Sequence, residues 1–397
     1  MFTRNASITF FLFSLSLTAV AAWAHDDDDF PQKATFSTLL TMPLPIEGMT
    51  GDNRGNLYVP GRATVAGAAC PVWRVDIQHP APVVVGMIPA PSATGLCAPM
   101  GLAFDQTGKL FVTQTDRIYS FFPNADAPPT ATLFASNVPG TNGLAFDRDG
   151  NLWTGDGTTG QGRVWKITAN GTVTEVFRIQ PMANEVNLVA GVGGVGRDVR
   201  NLGPGTITVT PTTRNAANTT GSQPLVANGL AFDKHGDLLI TDTARGAIWK
   251  ARFDRRGNLQ SSRGCDTTFS ANTLCLENVV IGHPYLEGAD GIVLDEDDNI
   301  WIAANERNAI IGVTRKGEVL EVFRNAPDAV TRLRNVGPLE FPTSPVLSDR
   351  KFCVASFDVN RRDNSPNTAG EISAQNKGKI SCMDQKASER GAALPAR

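Results

Sequence analysis

The stretch TNGLAFDRDGNLWTGD, residues 141–156, decides the fold. It holds a short apolar strand, an Asp-rich turn and a second apolar strand. Gly150 stands in the turn where a positive φ is needed. Four further segments share its thirteen-residue core, NGLAFDRDGNLWT from 142. They are EGMTGDNRGNLYV from 47, MGLAFDQTGKLFV from 100, NGLAFDKHGDLLI from 228 and DGIVLDEDDNIWI from 290. Gly55, Gly108 and Gly236 repeat the turn glycine. A sixth segment, PTSPVLSDRKFCV from 342, keeps the spacing and loses the glycine. More strand-like runs follow each unit, such as GRVWKIT and GTVTEVF after the third.

Six repeats of about four antiparallel strands are the signature of an all-β fold, a six-bladed β-propeller with four-stranded antiparallel blades. The last unit has only three strands of its own, ending at GKISCMD. Residues 34–41, within ATFSTLLTMPLP, resemble a fourth strand and are expected to close the ring. Closure removes an exposed sheet edge. The propeller is expected to span 34–384, with 385–397 as a C-terminal tail.

Residues 295–306 imitate a calcium loop, with Asp295, Asp297, Asn299 and Glu306 at EF-hand spacing. The reading fails because Ile300 stands at the sixth position, where the loop needs glycine. The segment joins two strands, in the same turn as DRDGN and DKHGD. The acid that carries chemistry is Asp290, at the start of the unit. That first register runs Glu47, Met100, Asn142, Asn228, Asp290, Pro342 around the ring. It precedes the innermost strand and faces the axis. Two carboxylates and two amides there suit one divalent hard cation, completed by water. Ca2+ is the first choice for an all-oxygen set, with Mg2+, Mn2+ and Zn2+ as alternatives. Taken alone, Asn-Gly and Asp-Gly are ordinary turn dipeptides. Their shared register with Glu47 favours a metal site.

The rest of the chain bounds the setting. It has 397 residues and a net charge of −3, which gives no reason to expect nucleic acid or an anionic membrane. Residues 1–24 read as a signal peptide: Arg4, an apolar run too short to span a bilayer with ease, and Ala22-Trp23-Ala24 as the cleavage site. Export to the periplasm or the exterior follows, with no membrane contact after the signal is removed. Residues 25–33, including HDDDDF, are expected as a solvated acidic tail. Six cysteines fit an exported chain, and pairing in chain order gives Cys70–Cys97, Cys265–Cys275 and Cys353–Cys382. There is no C-x-x-C motif. The chain is expected to be a monomer.

These units resemble the senescence marker protein, gluconolactonase and luciferin-regenerating enzyme group, which is similar to diisopropyl fluorophosphatase. The carriers are EGM at 47, TNGLAFDRDGNLWTGD at 141, ANGLAFDKHGDLLITDT at 227, GADGIVLDEDDNIWIA at 288 and FPTSP at 341. The resemblance implies a six-bladed propeller with one catalytic divalent metal. It implies that Glu47, Asn228 and Asp290 are metal ligands and that Asn142 binds metal or substrate. Met100 departs from it, offering no polar group in the second unit. The paraoxonase histidine pair has no counterpart. His283, seven residues before Asp290, is a candidate helper at the mouth, although a lone loop histidine is more often structural. His79 and His235 fall in loops or turns.

Residues 181–224 form a long connection between the third and fourth units, on the metal face. They shape substrate access or are decorative. GVGGVG at 191–196 matches G-x-G-x-x-G, but Gly203-Pro204-Gly205 leaves no room for the helix a nucleotide site needs. The function these readings favour is metal-dependent hydrolysis of small lactones or related esters. The cation would polarise the carbonyl. Asp290 would act as base, nucleophile or ligand, and Asn142 would orient the substrate. The alternatives are a non-catalytic ligand-binding propeller, or phosphotriester hydrolysis, elimination or condensation on the same scaffold.

Overall fold

The computed structural model describes residues 30–31, 34–52, 54–159, 162–180, 227–243, 246–260, 272–286, 288–325, 337–348, 350–357 and 377–384. The signal peptide, the connection 181–224, the GVGGVG stretch and the C-terminal tail lie outside these residues.

The described strands form six sheets. After β1 (Phe36–Thr41), blade one holds β2 (Thr50–Gly51), β3 (Asn56–Pro60), β4 (Cys70–Asp76) and β5 (Pro82–Ile88). Blade two holds β6 (Pro99–Phe104), β7 (Leu110–Gln114), β8 (Arg117–Phe121) and β9 (Thr132–Ser136). Blade three holds β10 (Thr141–Phe146), β11 (Leu152–Asp156), β12 (Arg163–Ile167) and β13 (Val173–Ile179). Blade four holds β14 (Leu230–Phe232), β15 (Leu238–Asp242), β16 (Ala247–Phe253) and β17 (Leu259–Gln260). Two short strands follow, β18 (Thr273–Leu274) and β19 (Val279–Gly282). Blade five holds β20 (Ala289–Leu294), β21 (Ile300–Ala304), β22 (Ala309–Val313) and β23 (Val319–Arg324). Blade six holds β24 (Pro342–Ser348), β25 (Lys351–Ser356) and β26 (Lys379–Met383), and β1 completes it by pairing antiparallel with β26. The protein is thus an all-β, six-bladed propeller closed by its N-terminal strand.

Two blades depart from four plain strands. In blade four, β17 and β19 share the outer edge of β16, so the fourth strand is split. Between them the chain reaches back, and β18 adds a parallel fifth strand to β13 of blade three. Cys275, just after β18, is disulfide-bonded. The expected partner, Cys265, lies outside the described residues. The other two expected pairs are present. Cys70–Cys97 has a Cα–Cα distance of 5.9 Å, and Cys353–Cys382 joins directly opposed residues of β25 and β26 at 4.0 Å.

The apolar residues form six clusters, one at each junction between neighbouring blades. Leu57, Trp73, Cys353 and Ile380 lie between blades six and one, for example, and Leu110, Val112, Val72 and Ile88 between one and two. A second strand is therefore covered on both faces, and β7, β11, β15 and β21 are buried at every residue. This is why LFVTQ, LWTGD, LLITD and IWIAA carry so few charges. Phe30 belongs to this core as well. It is 5% exposed, its ring is 4.6 Å from that of Trp301, and it fills the space over Gly312. Phe30, expected within the solvated tail over 25–33, is thus a core residue instead.

Candidate metal centre

Each repeated Asp is spent on its own turn. Asp147 Oδ1 accepts the backbone N–H of Asp149 at 3.0 Å and of Asn151 at 2.8 Å. Asp52, Asp105, Asp233 and Asp295 accept the same two N–H groups, two and four residues on. Asp147 and Asp295 also take the indole N–H of Trp153 and Trp301, at 2.8 and 3.2 Å. Asp295 and Asn299 thus bond to each other in a strand-joining turn, and the calcium-loop pattern is structural. These turns sit at one end of the channel, around a cavity of about 790 Å³ with walls of Leu102, Phe104, Leu144, Phe146 and Phe232.

The first-register residues lie at the other end, on a β-bulge. Thr141 pairs with Asp156 and Leu144 with Thr154, so Asn142 and Gly143 oppose a single residue. The same step recurs at Met100-Gly101 and Asp290-Gly291. In blade one the bridge from Ile46 to Gly61 frames Glu47 in the same way. A bulge turns a side chain out of the pleat, and here it re-aims the register residue. Blade six corrects the sequence register. Pro342 pairs with Ser356 and Pro345 with Val354, which puts Thr343, not Pro342, on the bulge. The cause is the turn: four residues separate Leu347 from Phe352, against five between Phe146 and Leu152. Aligning the second strands therefore displaces the first by one.

The bulge glycines bring consecutive blades together. A Cβ on Gly101 would lie 2.2 Å from Asn142 O, on Gly143 2.6 Å from Asn228 O, on Gly229 2.4 Å from Asp290 O, and on Gly291 2.4 Å from Thr343 O. Gly48 stands in the same relation to Met100 O. Thr343 Oγ1 donates to Glu47 O and completes the circle. Glu47, Met100, Asn142, Asn228, Asp290 and Thr343 therefore follow one another around the inner ring.

A second ring supports the first, and the sequence reading missed it. Fifteen residues after four of the register positions stands a residue that touches the register side chain of its own blade. Arg62 Nη1 donates to Glu47 Oε2. Gly157 packs on the Asn142 carboxamide, where a Cβ would be 2.8 Å from Nδ2. Asn228 Nδ2 donates to Thr243 Oγ1 at 2.9 Å, and Asn305 Nδ2 donates to Asp290 Oδ2 at 2.9 Å. All four follow the end of the second strand. Their constant offset is visible in the sequence once the bulge is known.

The register side chains are mostly shielded: Asn142 is 8% exposed, Asn228 5% and Asp290 6%. The bond to Thr243 fixes the Asn228 amide with Nδ2 turned to that hydroxyl, which leaves Oδ1 on the opposite side. All four groups offer oxygen, the donor chemistry a hard divalent cation takes. No three His, Cys, Asp or Glu side chains cluster as metal ligands among the described residues. The candidate centre has only two carboxylates, its other oxygens being carboxamides. The donor set fits such an ion in kind.

His283 lies on the same end, before β20. Its Nδ1 accepts the N–H of Tyr285 at 3.1 Å, which leaves the proton on Nε2. Burial, helped by the Arg307 charge, lowers its pKa below the ordinary value of 6.5. His79 and His235 sit in turns, as expected. His79 is exposed beside Asp76 at 3.5 Å, and the N–H of His235 bonds to Asp233.

A closed six-bladed propeller with oxygen-bearing residues on its inner bulges defines the class of protein. Residues 72–334, more than half the chain, match the model of the SMP-30/gluconolactonase/LRE-like region, and the chain belongs to that family. Solved structures agree on the fold. A luciferin-regenerating enzyme is 13% identical, over 91% of this chain and 100% of its own, with a TM-score of 0.55. The calcium-binding protein regucalcin of Agrobacterium tumefaciens is 15% identical, over 92% and 98%, with a TM-score of 0.52. The PQQ-bound aldose sugar dehydrogenase of Streptomyces coelicolor is 14% identical, over 89% and 100%, also at 0.52. No curated protein is matched by the chain.

Proposed function

We propose that the protein is a metal-dependent hydrolase of lactones or related esters. The observation that carries this reading is the inner ring: four side chains on one bulge position, in blades one, three, four and five, all offer oxygen. Family membership supports a lactonase-type activity on a small molecule.

Glu47, Asn142, Asn228 and Asp290 would hold the cation, with Ca2+ the first choice. A divalent ion there supplies a Lewis acid for an ester carbonyl and for the negative charge that grows on it. The chain's own groups do the rest. Asp290, steadied by Asn305, takes the proton of the attacking water. Asn142 orients the substrate through its carboxamide. Arg62 pairs with the Glu47 carboxylate and holds it in place. The polypeptide is proposed to act as a monomer in an exported compartment. The formed disulfides Cys70–Cys97 and Cys353–Cys382 are compatible with an oxidising location. Among the described residues no helix is long and apolar enough to cross a membrane.

The test is metal analysis of the purified protein, coupled to a panel of lactones and aryl esters with and without chelator. Hydrolysis that disappears with the metal and returns on adding it back is expected. Asp290→Ala should lose both metal and hydrolysis, and full activity in that variant would refute the assignment. A protein that binds metal and hydrolyses nothing would be a binding propeller.

A further inference from the structure

The loops that rise beside Glu47 have an unusual composition. In a propeller whose inner strand starts at the site, the connections from second to third strand and from blade to blade lie on the site's face. For blade one these are 61–69 and 89–98. No Asp, Glu, Lys or Arg occurs from 63 to 73 or from 80 to 104. In other blades charge stands at or beside the connection from second to third strand: Asp116 and Arg117 in blade two, Asp156 and Arg163 in blade three, Arg307 in blade five.

The two loops are bound into one layer. Ala63 N–H donates to Cys97 O and Gly67 N–H to Gly95 O, each at 2.9 Å. A Cβ on Gly67 would meet Ala93 O at 2.6 Å, and Cys70–Cys97 bridges the bases. On this fixed layer Val65 is 66% exposed and Leu96 52%. The layer is continuous with the centre. It starts at Arg62, whose guanidinium touches Glu47 and lies 4.7 Å over the Phe357 ring. It ends beside Met100, the apolar member of the inner ring. Stiff, uncharged, exposed apolar surface next to a site is the kind that receives a ligand's apolar part.

Resting on the hydrolase reading, we propose that this sector receives an alkyl or aryl arm on the substrate. The preferred substrates are then lactones or esters with an apolar substituent, with Val65 and Leu96 as specificity-determining contacts. The carbonyl would sit at the inner ring and the arm would run out over blades one and two.

The experiment uses a series of γ-lactones whose side chain grows from none to hexyl. With the metal-loaded protein, kcat/KM is expected to rise roughly fourfold per methylene until the layer is covered, following about 0.8 kcal/mol per buried CH2. A Val65→Ser/Leu96→Ser double variant should flatten that rise and leave turnover of unsubstituted γ-butyrolactone unchanged. A flat wild-type series, or a rise untouched by the double variant, overturns the proposal. If no lactone is hydrolysed, the hydrolase reading falls, and the affinities of the matching alkyl lactams, read by calorimetry, decide the arm site by the same slope. A flat slope joined to dimerisation in gel filtration, or to co-sedimentation with phosphatidylcholine vesicles, each lost in the double variant, assigns the layer to a second copy or a lipid surface and overturns the proposal.

Discussion

At the scale of residues, the acids of the repeat divide by position, not by type. Asp147 and its equivalents have their oxygens committed to turn N–H groups. Asp290 sits on the bulge and is held by Asn305 from the outer ring. Partners that orient a ligand set are worth about 10–100-fold in metal affinity. Asn305→Ala should therefore weaken Ca2+ binding by that factor in calorimetry, with little change in the unfolding midpoint of the metal-free protein. His283 gives a pH prediction. Its folded pKa is lowered by burial and by Arg307, so below about pH 6.5 the unfolded chain takes up the proton more readily. Its contribution to stability is complete above 6.5 and is lost as pH falls toward the lowered value. The midpoint of thermal unfolding should drop further between pH 8 and pH 5 in the wild type than in His283→Gln.

At the scale of elements, the bulge explains what was legible and what was not. The strand–turn–strand unit is written in local chemistry: an Asp that closes the turn, a glycine at positive φ, and two apolar runs. It could be read in full four times and by its spacing twice more, where Asp298 and Arg350 take the positive φ, and the closing strand followed from the count. The inner register could be read wherever the turn had five residues between its flanking pairs. It slipped at Pro342 because the turn of blade six is one residue shorter, a fact held by pairing and not by residue type. The outer ring was illegible because Arg62, Gly157, Thr243 and Asn305 share no chemistry, only an offset of fifteen. Two glycines separate local from assembled roles. Gly150 has φ +80 with open space around its Cβ position, so Gly150→Ala should cost about 1 kcal/mol through backbone conformation alone. Gly101 abuts Asn142 O, and the alanine methyl must push blades two and three apart. Chemical denaturation should show Gly101→Ala costing at least twice as much, and Gly101→Ala alone should lower metal affinity.

At the scale of the whole molecule, the candidate ligands run from Glu47 to Asp290 and meet only in a closed ring. Closure rests on two junctions. Blade six meets blade one where Thr343 bonds to Glu47 and where Met42 and Ile46 pack beside Ile380 and Cys382. Blade six itself is completed by β1, whose Phe36 packs at 5.9 Å on Phe352, while Phe30 covers Trp301. A chain beginning at residue 42 keeps all four candidate ligand residues and loses both phenylalanines and a whole row of strand hydrogen bonds. Two buried phenylalanines alone are worth on the order of 5–10 kcal/mol, comparable with the stability of an entire domain. With the outer edge of β26 unpaired, blade six loosens, and Glu47 loses the neighbour that fixes its backbone. The shortened chain is expected to bind Ca2+ far more weakly than the full chain in calorimetry. Its unfolding midpoint should also fail to rise on adding Ca2+, where the full chain gains about 2.7 kcal/mol at a hundred times its Kd. Equal Ca2+ affinity in both chains would mean that the ion is held within one or two blades, and that ring closure plays no part in building the centre.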